Sequence, residues 1–472
     1  MPVPVPTRRR CGPRSRRADR FSRACGPVNP GWRRAVNAMH GSVAPGAVGS
    51  SRAFFYIRGA FDSCTTRAAT RMQENAPPPP ATAQASYTRP IVLLAVAGFA
   101  SQAMVRSADS LLPQIAHDLA VTIGAASVAV WAYSLVHGSM QLVIGPIGDR
   151  FGKYPLVVIT CAGAAVFVAL CGVTQSLSAL TIARIASAAF AAWIIPMGMA
   201  YIGDVVPYAV RQPVLARYLT GQISGQLFGQ AAGGVLGEWL GWRAVFFVLA
   251  AFLGLAAIAL ARELVINPRT RPPEHKGQAR GFVRENAIVL ANPWARVVIL
   301  AAFIEYGLMF GAFAYVGADL FARFDLRYSL IGLSIGTFAL GGLIYAGLAP
   351  RLVMRLGQIG LAKWGGTILG FAYLALAFAP VWWLAPVAVM FLGLGFYMLH
   401  NTLQTNATQM SPQARGTAVG LFSAALYLGQ TAGVAAMAPV LDRSGAQPAF
   451  VAAALLLAAL GWWLSRHLRR RA

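Results

Sequence analysis

The sequence predicts an all-α membrane protein with twelve transmembrane helices in two pseudo-symmetric six-helix bundles. Three observations predict this fold. Hydrophobic residues make up 57% of the 472 residues and charged residues only 12%, whereas charged residues form about a quarter of ordinary soluble proteins. Apolar segments near the ~20 residues that cross a bilayer recur from residue 90 onward. A polar stretch then divides these segments into six and six.

Residues 1–89 form a basic N-terminal extension that we expect to be disordered. The extension contains fifteen Arg against three acids, and it shows no sustained apolar period. An Arg-rich, acid-poor start is typical of an organellar transit peptide, but a start codon assigned too far upstream produces the same pattern. We favour the second interpretation, in which translation begins at Met72 and a short polar tail precedes the first span.

The apolar segments predict the bounds of each span. The first six are 91–113, 124–144, 155–174, 178–200, 213–236 and 243–261. The last six are 294–316, 329–349, 358–379, 383–405, 414–438 and 447–465. We therefore expect an N-terminal bundle over 90–262, a cytoplasmic linker over 263–293 and a C-terminal bundle over 294–472.

The distribution of basic residues predicts the orientation. One set of loops is rich in bases: Arg150, Lys153, Arg211, Arg217, residues 262–296, Arg351, Arg355, Arg415 and the tail 466–471. The opposite loops carry only four arginines, each close to an acid. Both termini are therefore predicted to be cytoplasmic, with the chain in a bacterial inner membrane. The formal charge of +25 follows from these loops and from the extension, so no nucleic-acid partner is expected. The five cysteines show no metal-binding or disulfide spacing.

The two halves repeat each other at an offset of 200 residues. Gly229-Gln230-Ala-Ala-Gly233 in span five matches Gly429-Gln430-Thr-Ala-Gly433 in span eleven. Paired repeats of this kind place a central site at the interface between the halves.

The loop between spans two and three carries the strongest motif, Gly145-Pro-Ile-Gly-Asp149-Arg150-Phe-Gly152-Lys153. It resembles the G-x-x-x-D-R-x-G-R/K loop of the major facilitator superfamily. The resemblance implies a monomeric secondary transporter in the lipid bilayer, with a small-molecule substrate, no cofactor and no metal. It also implies that Asp149 acts as a conformational latch against the positive end of span eleven, with Arg415 as our expected partner.

Span five resembles the antiporter motif G-x-x-x-G-P-x-x-G-G of that family at Gly225, Gly229, Gly233 and Gly234. The family's Pro is replaced by Gln230. A stripe of glycines also allows close helix packing in any bundle, so plain packing glycines remain the alternative interpretation.

Spans one and four carry charged residues that we expect to lie inside the membrane region. Gln102, Arg106 and Asp109 share one face of span one, and Arg184 lies in an L-x-x-x-R motif that resembles the family's span-four motif. Charges at this depth are expected to pair. Asp109 is predicted to bridge to Arg184 or Arg106, either as a proton carrier or as a static ion pair.

Glu305 is the sharper candidate for proton coupling, because it lies near the midpoint of span seven with no base nearby in sequence. A Glu that only binds a backbone carbonyl is the alternative. Further polar residues that could line a substrate cavity are Gln102, Tyr133, His137, Gln141, Gln226, Tyr306, His400, Asn401 and Gln430.

No enzyme is predicted. The sequence Gly332-Leu-Ser334-Ile-Gly336 spells the hydrolase elbow, but it lies inside span eight rather than between a strand and a helix. We expect proton-coupled efflux of a small amphipathic or hydrophobic molecule. The alternatives are proton-linked uptake or facilitated diffusion of a metabolite and, more remotely, a scaffold or receptor without transport activity.

Overall fold

The computed structural model describes residues 81–270, 282–411 and 414–471. The predictions made for residues 1–80 lie outside this range. Residues 81–89, which we expected to be disordered, instead begin the first helix. Every regular element among the described residues is helical. The helices are Ala81–Asp118, Ile123–Ala126, Val128–Gln141, Ile144–Phe151, Lys153–Val173, Leu177–Ala191, Ile194–Val205, Tyr208–Leu240, Trp242–Ile266, Phe282–Ala291, Pro293–Phe313, Val316–Phe324, Tyr328–Ala377, Leu384–Ala407, Arg415–Ser444 and Gln447–Arg469. A short 3₁₀ turn, Pro268–Thr270, follows span six.

Nine helical segments of the described chain are long and apolar enough to cross a membrane. One of them, Tyr328–Ala377, contains both span eight and span nine. The two predicted spans outside this set are span two, which consists of the helices Ile123–Ala126 and Val128–Gln141, and span five, which lies in the helix Tyr208–Leu240. The twelve predicted spans thus all coincide with helical segments.

Spans eight and nine are joined at Gly357, where the predicted loop falls. Its backbone has a φ of 59° and a ψ of −176°, in the region that glycine adopts readily and other residues do not. The residue therefore allows the chain to reverse direction without an intervening coil.

Each half has its own hydrophobic core. One buried cluster is built almost entirely from helices up to Leu260, and the other from helices after Val289. Glycines bring helices together within each half: Gly225 faces the Phe99 backbone between spans five and one, and Gly433 faces the Gly307 backbone between spans eleven and seven. The glycine stripe therefore serves close packing.

The halves meet along two helix pairs. Spans five and eight approach at Gly234, whose Cα faces Gly332 with no room for a side chain between them. Spans two and eleven approach at Gly138, against the Tyr427 side chain. These two seams enclose the region in which the predicted site residues lie.

Candidate functional site

The buried acid of span seven lies against a histidine of span ten. Glu305 is fully buried, and its Oε2 is 2.9 Å from Nδ1 of His400. Its other oxygen, Oε1, has no hydrogen-bond partner among the described residues. Sequence spacing gave no base near Glu305, because His400 is 95 residues further along the chain. The pair can hold one proton in two places, on the carboxylate or on the imidazole.

Aromatic rings surround this pair and continue across the interface. His400 stacks on Phe396 with ring centroids 4.8 Å apart, and Tyr306 lies 5.5 Å from the His400 ring. Tyr306 is also 6.1 Å from Tyr427, which contacts His137 of the other half at 4.1 Å. We call these five residues the aromatic belt. The belt joins the two halves through ring contacts and places aromatic rings beside an ionisable pair.

Span one brings Arg106 and Asp109 together, as their spacing predicted. Arg106 Nη1 is 3.6 Å from Asp109 Oδ2, and both side chains are about 95% buried. This distance allows an ion pair but exceeds a hydrogen bond. The Arg106 guanidinium also lies over the Phe310 ring of span seven, 3.9 Å from its centroid, so Arg106 reaches across the interface.

Arg184 lies deeper in the N-terminal half. Its Nε donates to the carbonyl of Ala129 at 3.2 Å, and the guanidinium covers the Tyr133 ring at 4.3 Å. No carboxylate of the described residues is within 4 Å of it, although Asp109 is close enough for the two charges to interact. Of the two predicted partners of Asp109, the structure therefore selects Arg106.

The glutamines of span five add unpaired polar atoms to the same region. Gln230 is fully buried beside Asp109, and neither its oxygen nor its nitrogen has a hydrogen-bond partner among the described residues. Gln226 Nε2 and, on span eleven, Gln430 Oε1 are also buried and unpaired. Buried polar atoms of this kind normally have partners, so the cluster is suited to hold water or ligand.

Other predicted cavity residues have partners within their own half. Gln141 donates to the Ala192 carbonyl at 3.2 Å, and Asn401 donates to the Tyr345 hydroxyl at 2.7 Å. Gln102 is partly buried one turn before Arg106. Gln141 and Asn401 thus already have local structural roles.

Two acids missed by the sequence analysis join the halves at one end of the molecule, which we call the Asp442 end. Asp442 accepts hydrogen bonds from Thr122 Oγ1 at 2.8 Å and from the Gly124 amide at 2.9 Å. Glu238 accepts from the Ser329 amide at 2.8 Å. Each acid ends a span of one half and caps the start of a span in the other. The sequence signal that could have indicated these caps is that Glu238 and Asp442 lie just after predicted spans five and eleven, in the loops with few basic residues.

Tyr315 makes one further contact between the halves, with Ser127, and one hydrogen bond within the C-terminal half, with Val434, toward the Asp442 end. The Tyr315 hydroxyl donates to the Val434 carbonyl at 2.7 Å and is 3.0 Å from the Ser127 hydroxyl.

The hydrogen bond from the Ser329 amide holds the pKa of Glu238 below its ordinary value, so the Glu238 cap is ionised at neutral pH.

The opposite end, which we call the Lys153 end, contains the signature loop. The loop forms the helix Ile144–Phe151 and turns at Gly152, where φ is 88°. Lys153 Nζ then pairs with Asp204 Oδ2 at 2.5 Å. The structure does not describe the side chains of Asp149, Arg150 and Arg415 or the surroundings of Gly145.

The arrangement of two helical halves around polar and aromatic groups agrees with the family that the loop motif indicated. A family model described as Major Facilitator Superfamily matches residues 94–434. The chain belongs to the major facilitator superfamily. This confirms the predicted family and fold class, and it makes the chain a multi-pass membrane transporter rather than an enzyme.

Similar proteins within this superfamily include transporters named for drug resistance. An uncharacterised MFS-type transporter of Bacillus subtilis, YceJ, is 28% identical over 68% of this chain and 82% of its own length. A chloramphenicol resistance protein of Streptomyces lividans is 27% identical over 75% of this chain and 90% of its own length. Multidrug resistance protein 1 of Bacillus subtilis is 26% identical over 62% of this chain and 75% of its own length.

Solved structures of superfamily members share the fold. The nucleoside transporter NupG aligns with a TM-score of 0.64 and 12% identity over 81% of this chain and 99% of that protein. A bacterial homologue of the human lysosomal transporter Spinster aligns with a TM-score of 0.59 and 18% identity over 82% of this chain and 98% of that protein. That structure is in an inward-facing and unoccupied conformation.

Proposed function

We propose that this transporter exports a small amphipathic or hydrophobic molecule in exchange for protons. The supporting observation is the Glu305–His400 pair, which is ionisable, buried and in contact with the aromatic belt that reaches His137 of the other half. Similarity to chloramphenicol and multidrug resistance proteins supports the direction of transport.

Proton uptake at this pair changes its charge in a region of low dielectric. With Glu305 ionised and His400 neutral, the pair carries one negative charge and His400 Nδ1–H can donate to the carboxylate. One added proton, on the carboxylate or on the imidazole, brings the pair to zero net charge. Since a buried charge costs free energy unless it is paired, loading a proton alters which arrangement of the halves is favoured. This coupling is the basis of exchange in the proposed mechanism. Asp109 is the second proton-coupling candidate.

The contacts between the halves support an alternating-access cycle. In the proposed orientation the Lys153 end faces the cytoplasm and the Asp442 end faces outward. The hydrogen bonds of Asp442 with Thr122, of Glu238 with Ser329 and of Tyr315 with Ser127 hold the outer end closed. Asp149 and Arg415 would then hold the cytoplasmic end closed in the other half of the cycle.

Substrate-triggered proton movement in proteoliposomes tests this proposal. The full-length chain is reconstituted with an internal pH dye and exposed to a panel that includes chloramphenicol, other drugs, sugars and amino acids. We expect proton flux opposite to substrate flux, and we expect Glu305→Gln to abolish it because the variant cannot lose a proton. Glu263→Gln is the matched control, since Glu263 is also buried but binds Asn267 on span six.

Three results would contradict the proposal. Substrate flux without proton movement indicates facilitated diffusion, and flux in the same direction as protons indicates uptake by symport. Normal exchange in Glu305→Gln would move the coupling site to Asp109.

A further inference from the structure

We propose that the interface holds a binding site for the acidic group of an amphipathic organic anion, with Arg106 as the residue that binds it. We call this site the anion seat and define it by Arg106, Asp109, Arg184, Tyr133 and Gln230. The inference rests on the proposed transport function and deepens it, because it names the charge class of the substrate.

The charges of the anion seat do not balance. Arg106, Arg184 and Asp109 are 4%, 1% and 3% exposed, and guanidinium groups keep their charge in proteins. Two positive charges therefore face one negative charge inside the membrane region. An unbalanced buried charge is unfavourable. A bound carboxylate would bring the three residues and their ligand to neutrality.

The seat also holds buried polar atoms without a hydrogen-bond partner among the described residues. The donors are Arg106 Nε, the Tyr133 hydroxyl and Gln230 Nε2, and the acceptors are Asp109 Oδ2 and Gln230 Oε1. Arg106 Nη1 lies 3.6 Å from Asp109 Oδ2, which allows an ion pair but exceeds a hydrogen bond. A guanidinium fork fits a carboxylate through two parallel bonds. The two buried arginines against one aspartate thus favour an acidic group over an amine.

The surroundings suit an apolar body attached to that group. The Phe310 ring lies directly under the Arg106 guanidinium and is 4.7 Å from Tyr306 of the aromatic belt. An aryl or alkyl chain leaving the seat would contact these rings. A cationic molecule in the same place would add a third positive charge beside Arg106 and Arg184.

Binding measurements in detergent test the seat without any proton gradient. The probes are phenylbutyrate, its amide and phenylbutylamine, which share one apolar body and differ only in the charge of the head group. Affinity is measured from the intrinsic tryptophan fluorescence of the purified full-length chain at neutral pH. We expect the carboxylate to bind about tenfold or more tightly than the amide, and the amine to bind weakest, because a charge-assisted pair discriminates by at least this factor.

Two variants of the seat change the preference in opposite directions. Arg106→Gln should remove the preference for the carboxylate, with Arg443→Gln, an exposed arginine outside the spans, as the control for loss of one positive charge. Asp109→Asn should strengthen carboxylate binding several-fold, because it removes the competing negative charge. Such a gain cannot come from misfolding.

The proposal is overturned if the amine binds as well as the carboxylate, if none of the three probes binds, or if Asp109→Asn weakens the carboxylate. These outcomes are separate from failure of the proposed exchange. Proton coupling can be absent while the head-group preference holds, and the preference can be absent while Glu305-dependent exchange persists.

Discussion

Removal of the Asp442 carboxylate should open the Asp442 end of the transporter. In the structure this side chain accepts two hydrogen bonds from the other half, at 2.8 and 2.9 Å. Hydrogen bonds to charged groups contribute about 1.5–3 kcal/mol when shielded, but Asp442 is exposed, and exposed charged contacts contribute less. We therefore expect Asp442→Ala to disfavour closure by about 1–2 kcal/mol, which changes the ratio of closed to open molecules about 5- to 30-fold.

Distances between spin labels can measure this ratio. Gln175→Cys and Trp383→Cys place labels on exposed positions of the two halves at this end, outside the residues that flank Asp442. Double electron–electron resonance in nanodiscs then reports the closed and open populations. Asp442→Asn keeps one acceptor and should give a smaller shift. Asp325→Asn is the control, since Asp325 is an exposed acid at the same end. An unchanged distance distribution in Asp442→Ala would refute the assignment of Asp442 as a closing contact.

Two further predictions concern the Glu238 cap and the glycine contact between spans seven and eleven. The Ser329 amide lowers the pKa of Glu238 below its ordinary value of 4.5. We therefore expect this cap to stay closed from neutral pH down to about 4.5 and to open only at lower pH. Spin labels on either side of the cap that already separate between neutral pH and pH 5 would contradict this. Gly433→Ala should lower the melting temperature in detergent, because the added methyl group overlaps the Gly307 backbone. Gly347→Ala, where the added group meets nothing within 4 Å, should leave stability unchanged or raise it by up to about 1 kcal/mol, and equal losses in both variants would exclude the steric explanation.

Much of the fold could be predicted because membrane spans are encoded locally. Span length and the loop motif depend on neighbouring residues, and the repeat at an offset of 200 residues is visible when the two halves are compared. The structure places helices at each predicted span. The interruption of span two at Ser127 was not predicted, because nothing in its apolar composition distinguishes a broken helix from a continuous one.

The site was predictable only where its partners share a helix. Arg106 and Asp109 are three residues apart, so helical geometry already placed them together. The contact of Glu305 with His400 depends on how spans seven and ten rotate against each other, and this is set by packing. The caps at Asp442 and Glu238 were missed for the same reason, since each joins residues of opposite halves.

The position of the Gly234–Gly332 contact gives the molecule unequal lever arms. Gly234 is six residues from the Leu240 end of its helix and 26 residues from the Tyr208 end, which correspond to about 9 Å and about 39 Å at 1.5 Å per residue. A rotation of about 10° around this contact moves the near end by about 1.5 Å and the far end by about 7 Å. The short arm moves just far enough to break a hydrogen bond, which weakens beyond about 3.5 Å. The long arm meanwhile opens a passage wide enough for a small molecule, so a few short-range contacts at one end control access at the other.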